Sequence, residues 1–206
     1  ISIADLAALR EVFLYFEDEV YRRFDLPVRR FLLELASFEN FDLEMARVVT
    51  GDPHAGKLLD WLLSNTTMLR YDDVQHFHFW PQFRAFLLWE MEKECSEEKR
   101  RAVFSRGALY CELKEDYAHA LECYTKSGDH AKISELLIRN SEQHPGMGHY
   151  SEMEKYYRAL PESEILASPS LMQGMSMLCA LAMDYEGSER WYGALPPFAF
   201  SSADPP

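Results

Sequence analysis

The sequence predicts a mainly α protein in which a single β-hairpin interrupts a long series of helices, and three observations carry that expectation. Apolar residues recur three or four apart along most of the chain, as in Leu6, Leu9, Phe13, Phe16 and Val20. One stretch, MLRYDDVQHFHFW, breaks that period and places β-favouring residues on both sides of an Asp-Asp turn. Tyrosines then return at a solenoid period: Tyr117, Ala120 and Tyr124, then Tyr150, Met153 and Tyr157, then Tyr185, Ser188 and Tyr192, at intervals of 33 and 35 residues.

The elements follow in order. A first helix runs from Ala4 to about Phe24 and reads as the end of a preceding module (1–24). Asp25-Leu26-Pro27 restarts the chain with proline in a favourable first-turn position, opening a helix that reaches about Ser37 through Val28, Phe31, Leu32 and Leu35. Helices at about 42–50 and 55–65 and a hairpin at about 67–80 complete the order of a winged-helix unit, and PQFRAFLLWEMEKE adds one more helix, giving a domain over 25–96. Residues 97–195 read as tetratricopeptide-like helical hairpins, with partner helices from Arg101 to Leu113, from His130 to about His144 and from Pro169 to Met183 ahead of the three tyrosine helices. Phe104, Gly107 and Ala108 stand where such a repeat places its large aromatic and its small helix-contact pair. The tyrosine stripe is expected to be packing, and 196–206 a linker or disordered tail.

Composition narrows the function. The chain has 206 residues, 48% of them hydrophobic, and a formal charge of −13, which disfavours polyanion binding by the whole because phosphate contacts need clustered Lys and Arg. Cys95, Cys111, Cys123 and Cys179 lie far apart in helical patterns and read as reduced thiols of a cytoplasmic protein. No apolar run approaches the ~20 residues that cross a bilayer. The chain begins at Ile1 and ends in FSSADPP, and is expected to be a piece of a longer protein.

Four motifs invite chemical readings. GDPHAGKL at 51–58 matches the phosphate-loop pattern except at Leu58, where a Mg²⁺-ligating hydroxyl is required, and the residues before it are helical in spacing where a strand is needed. His76 and His78 are expected on one strand face, solvated and without a third metal ligand. His144, Gly146, Gly148 and His149 read as a connection with a weak metal signal. HAGKLLDWLLSN offers Lys57 and Asn65 against Asp60 and much apolar surface, which suits a packed helix better than a DNA-reading one. No nucleophile, base and orienting residue are arranged for catalysis, so no catalytic, cofactor-binding or metal residue is assigned and no enzyme is expected in this chain.

Three stretches carry a family resemblance. LPVRRFLLELASFENFDLEMARVVTG at 26–51, WPQFRAFL at 80–87 and YYRALPESEILASPSLMQGMSMLCAL at 156–181 resemble the central part of the large ATP-dependent, LuxR-type transcription regulators of the MalT-like family, the second matching its "HPLFRDFL" signature. The sequence departs at Trp80, where the family usually has His, and at Tyr124 to Ser127, where an alanine pair is commoner. The resemblance implies a bacterial regulator whose ATPase module, with its ATP and Mg²⁺, lies upstream, whose helix-turn-helix for DNA lies downstream, and whose solenoid senses an effector. The alternative is a stand-alone tetratricopeptide adaptor binding a protein or peptide.

Counting from Phe104 puts Ser105, Leu109 and Glu112 on the groove face of the first hairpin, and counting from Met172 puts Gln173, Met177 and Ala180 there in the third. These six residues are the expected effector groove, for a small molecule or a protein; no membrane partner is expected.

Overall fold

The computed structural model describes residues 10–143 and 147–196. They divide into two compact units, one running through Cys123 and the other beginning at Tyr124.

In the first unit, residues 10–15 are helical and pass into a π-helical turn, Phe16–Val20, and a 3₁₀ turn, Tyr21–Arg23. The expected helix therefore changes pitch before it ends, and its first residues lie outside the described ones. Phe16 and Tyr21, five apart, are both buried, and both rings meet Phe86, at 5.8 and 5.6 Å. An α-helix turns residues five apart away from each other, whereas the wider turn brings them to one side.

Helix α1 (Leu26–Ala36) opens on Pro27, and its buried side chains include Phe31, Leu32 and Leu35. Helix α2 (Leu43–Thr50) is framed by its own sequence: the Asp42 carboxylate accepts from the Met45 amide at 2.7 Å, and Gly51 ends it at φ 68°. Helix α3 (Ala55–Asn65) follows after a tight turn, then strands β1 (Leu69–Tyr71) and β2 (Phe77–Phe79), antiparallel with Leu69 opposite Phe79. Phe41 adds an isolated bridge to this hairpin, its amide donating to the Phe77 carbonyl at 3.2 Å and the Phe77 amide returning the bond at 2.8 Å. The Phe41 and Phe77 rings stack at 5.7 Å, so the link between α1 and α2 is tied to the two-stranded hairpin at one residue.

The hairpin turn is built by Asp72, whose carboxylate accepts from the amides of Val74 (3.0 Å) and His76 (2.9 Å). The His76 amide bond, then the hydrogen bond with the His78 ring and the Val74 amide bond, hold the Asp72 carboxyl below its usual range. His76 falls in this turn, ahead of β2, so it does not share a strand face with His78; the His78 ring lies 2.6 Å from Asp72 Oδ2.

Helix α4 (Pro81–Glu94) explains the WPQFRAFL stretch. Phe83, Phe86 and Leu87 are fully buried, the Arg84 Nε donates to the Phe38 carbonyl at 3.1 Å, and Trp80 carries the Arg70 guanidinium 4.9 Å over its ring. Helix α5 (Glu97–Leu113) is capped by Ser96 and lies against α2. Tyr110 donates to Asp42 at 2.5 Å, Lys114 pairs with Glu44, and Arg106 Nε donates to the Val49 carbonyl. Gly107 faces Phe38 so closely that a β-carbon there would overlap the ring. The small residue that repeat spacing assigned to a neighbouring repeat helix thus receives an aromatic from the segment after α1. The Cys111 thiol, hydrogen-bonded to Cys123 and buried, is pushed up from its ordinary value.

Helix α6 (Tyr117–Ser127) crosses the division between units. The second unit contains α7 (His130–Gln143), α8 (Met147–Ala159), the short α9 (Glu162–Leu166), α10 (Pro169–Leu181) and α11 (Tyr185–Gly193). Of the expected connection at His144 to His149, residues 144–146 lie outside the described ones and the helix resumes at Met147. Ile133, Leu137, Tyr157, Leu171 and Leu178 are buried, and α10 packs on α7, α8, α9 and α11. Tyr157 is 2% exposed against Gly174, where a β-carbon would stand 2.5 Å from the phenol oxygen. Ser176 reaches the Ser188 hydroxyl and carbonyl at 3.0 Å.

The tyrosine stripe is only partly packing. Tyr124 and Tyr157 are buried, but Tyr185 and Tyr192 are each 68% exposed, and the buried ring of α11 is Trp191. The reason is positional: α10 is the packing partner of α11 among the described elements, and Trp191 occupies that side.

Two turns share one design. Glu115 and Met183, 68 residues apart, both have φ 61°; Asp116 N donates to Cys111 O at 2.9 Å and Asp184 N to Cys179 O at 2.8 Å; Asp116 and Asp184 then cap the next helix through the amides of His119 and Gly187. The offset equals the sum of the two tyrosine intervals.

Candidate functional site

The six groove residues fall on two helices in two different units. In α5 the buried side is Val103, Gly107, Ala108 and Cys111, which leaves Ser105, Leu109 and Glu112 on a separate stripe at four- and three-residue spacing. Leu109 is 49% exposed, and Ser105 and Glu112 are half-buried. In α10 the buried side includes Leu171, Met175, Leu178 and Cys179, and Gln173, Met177 and Ala180 form the corresponding stripe, the first and last exposed and Met177 half-buried. Each helix therefore presents the expected triplet together. Chemically, both stripes mix apolar groups with hydrogen-bonding ones, and the α5 stripe carries a carboxylate.

GDPHAGKL comprises the turn between α2 and α3 and the first turn of α3, with no strand running into it. Its polar groups are used locally: Thr50 Oγ1 donates to the Ala46 carbonyl at 2.7 Å and accepts from the Asp52 amide at 3.2 Å, and Asp52 Oδ1 accepts from the His54 amide at 2.7 Å. Ala55 is fully buried. Lys57 points to solvent and Leu58 supplies no metal ligand, so these residues do not fit a Mg-nucleotide. Among the described residues no group of three or more His, Cys, Asp or Glu side chains comes together to hold a metal.

Helix α3 buries Leu59 and Leu62 and leaves Lys57, Asp60, Trp61, Ser64 and Asn65 exposed. Trp61 is less buried than its residue type suggests, meeting Phe24 edge-on at 6.2 Å. Asn65 Nδ2 donates to the Trp61 carbonyl and Ser64 Oγ to that of Asp60, each at 2.8 Å, so the polar side chains fold back onto their own helix.

One cluster escaped the sequence reading. Glu34, 8% exposed in α1, accepts from Arg30 Nε at 2.8 Å through one oxygen, while its other oxygen lies 3.4 Å from an Arg106 amino group. Pairing with Glu34 holds the Arg30 guanidinium above its ordinary value. The signal was a carboxylate inside the apolar run FLLELA with an arginine four residues earlier; the second arginine comes from α5 and has no sequence signature.

Comparison with known proteins agrees with this architecture. The family model of the MalT winged helix domain matches residues 17–99. A curated relative, the HTH-type transcriptional regulator MalT of Cronobacter sakazakii (strain ATCC BAA-894), is 29% identical over 167 residues, covering 77% of this chain and 18% of the relative. The chain thus spans under a fifth of that protein's length. No described helix is long and apolar enough to cross a membrane. Residues 17–99 thus match a winged-helix domain of the MalT type, and the chain is similar to MalT-like transcriptional regulators.

Proposed function

We propose that this chain is the central segment of a signal-responsive, LuxR-type transcription regulator, in which tetratricopeptide-like hairpins sense an effector and the winged-helix domain relays its presence to an ATPase module encoded upstream. DNA is bound by a helix-turn-helix encoded downstream, and the protein works in the cytoplasm. The observation that carries this reading is a MalT-type winged helix followed by helical hairpins whose turns repeat in geometry. Reading the parent gene tests it first: a phosphate-loop motif before this segment and a basic helix-turn-helix after it are expected, and a frame without either would leave the stand-alone adaptor.

The sensing face is the α5 and α10 stripes. Taken by itself, the α5 stripe is of mixed polarity with an acidic member and suits an effector with apolar groups and a positive charge, and binding shifts the regulator between inactive and active forms through its differential affinity for them. Leu109→Arg and Gln173→Arg are each expected to abolish the response of the full-length regulator while leaving it folded, because both positions are exposed and neither change opens a cavity. Reporter activation and circular dichroism, measured on the same variants, check this; folded variants with a normal response would move the sensor elsewhere.

Nucleotide binds in the upstream module on this reading, so titrating Mg-ATP into the present chain by calorimetry is expected to give no saturable heat, in the parent and in Lys57→Ala alike. Micromolar binding abolished by Lys57→Ala would reinstate the GDPHAGKL turn as a phosphate site.

A further inference from the structure

Where α1, the end of α4 and the start of α5 meet, the first unit has an open cavity of about 390 Å³. That volume lies within the ~300–1,000 Å³ usual for small-molecule sites. Its apolar lining includes Leu26, Leu33, Met91 and Val103. Its charged lining is mostly cationic, an exception in a chain of formal charge −13: four cations, Arg29, Arg30, Lys99 and Arg106, stand against two carboxylates, Glu34 and Glu94.

The charges are already committed unequally. Arg29 is spent on the backbone, donating to the carbonyls of Phe24 (2.8 Å) and Arg22 (2.6 Å), and Glu94 accepts from the Tyr21 hydroxyl at 3.2 Å. Glu34 lies buried between Arg30 and Arg106, binding the first at 2.8 Å and standing 3.4 Å from the second. A single buried carboxylate thus draws in two guanidiniums, from α1 and from α5, and leaves a net positive charge at the cavity. Lys99 adds a third cation with no carboxylate in ion-pair reach among the described residues. Arg30 and Arg106, held by Glu34 beside apolar side chains, match a ligand with an anionic head and an apolar body, because the head finds two charge-assisted donors that are already ordered before binding.

We propose that this cavity binds a small organic anion, a carboxylate or phosphate carried on an apolar body, with Arg30, Arg106 and Lys99 meeting the head group, Leu26, Leu33, Met91 and Val103 meeting the body, and Glu34 positioning the two arginines. The occupant touches the winged-helix body through α1 and α4 and the following helix through α5. Binding therefore stiffens the seat of α5 on the winged helix, through residues other than Ser105, Leu109 and Glu112 of the α5 stripe.

Calorimetric titration of the chain with octanoate, octyl phosphate, octan-1-ol and inorganic phosphate tests it. Saturable binding is expected for octanoate or octyl phosphate, the tighter of the two identifying the head group, with octan-1-ol and inorganic phosphate at least about tenfold weaker. Lys99→Glu, which reverses a charge, and Ala102→Phe, which fills the cavity from an exposed position, should each weaken binding at least about tenfold with no change in melting temperature. Should either variant fail to fold, Leu26→Glu, at a position 75% exposed, takes its place. Absence of saturable binding by both amphiphiles, octan-1-ol or inorganic phosphate binding as well as they do, or affinities unchanged in the variants would overturn the proposal.

Discussion

Tyr157→Ala is expected to produce one of the largest losses of stability obtainable in the second unit, about 3–5 kcal/mol, the range for emptying the site of a buried aromatic. The ring is 2% exposed and lies directly over Gly174 of the next long helix. Its phenol is pushed above its ordinary value chiefly by burial, which marks a hydroxyl kept neutral inside the fold. Gly174→Val approaches the same contact from the other side, since its β-carbon would stand 2.5 Å from the phenol oxygen, and overpacking of this kind costs about 1–3 kcal/mol. Because both changes act on one contact, the double variant should be more stable than the sum of the two losses predicts, by about 0.5–3 kcal/mol. Urea unfolding followed by hydrogen exchange at α8 and α10 measures this; strictly additive losses would show that the ring and the glycine do not form one socket.

Gly107→Ala makes the sign of an effect the test. In a helix interior this substitution normally stabilises by about 0.5–1 kcal/mol, since alanine restricts the unfolded chain and favours the helix. Here it should destabilise, because the added carbon overlaps the Phe38 ring, which also meets Phe104 edge-on at 5.9 Å. Thermal melts of Gly107→Ala, Phe38→Leu and their combination separate the two terms. The expected order is that Gly107→Ala lowers the melting temperature of the parent and raises or leaves unchanged that of Phe38→Leu. A stabilising Gly107→Ala in the parent would mean that α5 is not seated on Phe38.

These two glycines show where the sequence was legible. Helix limits from α1 to α4 could be read because each carries its own punctuation: Pro27 and Pro81 at first turns, Asp42 and Gly51 framing α2, a change of period at the hairpin. The spacing of Leu109 from Ser105 and Glu112 likewise needs only the helical period, so each triplet was recoverable within its helix. What failed depended on partners distant in sequence. Gly107 was visible as a small residue but not as the receiver of Phe38, Phe41 had no neighbouring alternation to announce a bridge to Phe77, and nothing near Glu34 in the chain announced Arg106, which comes from another helix. The third tyrosine pair was misjudged for the converse reason, because a periodic residue is buried only where an element lies over it, and the described packing of α11 is on its Trp191 side.

The twin turns at Glu115 and Met183 carry a kinetic implication. Each closes by hydrogen bonds spanning only three to five residues, and each hands the chain to an aspartate that starts the next helix. Closing so short a loop takes on the order of tens of nanoseconds, far faster than any search for distant partners. The two helices of such a hairpin can therefore find each other before the rest of the chain has organised, and contacts close in sequence go with fast folding. Holding a non-glycine residue at positive φ costs about 1–3 kcal/mol, and the same strained conformation at both places sets the direction in which the second helix returns. A chain built in this way extends by adding locally competent pieces, and the handedness of each piece is decided within half a dozen residues.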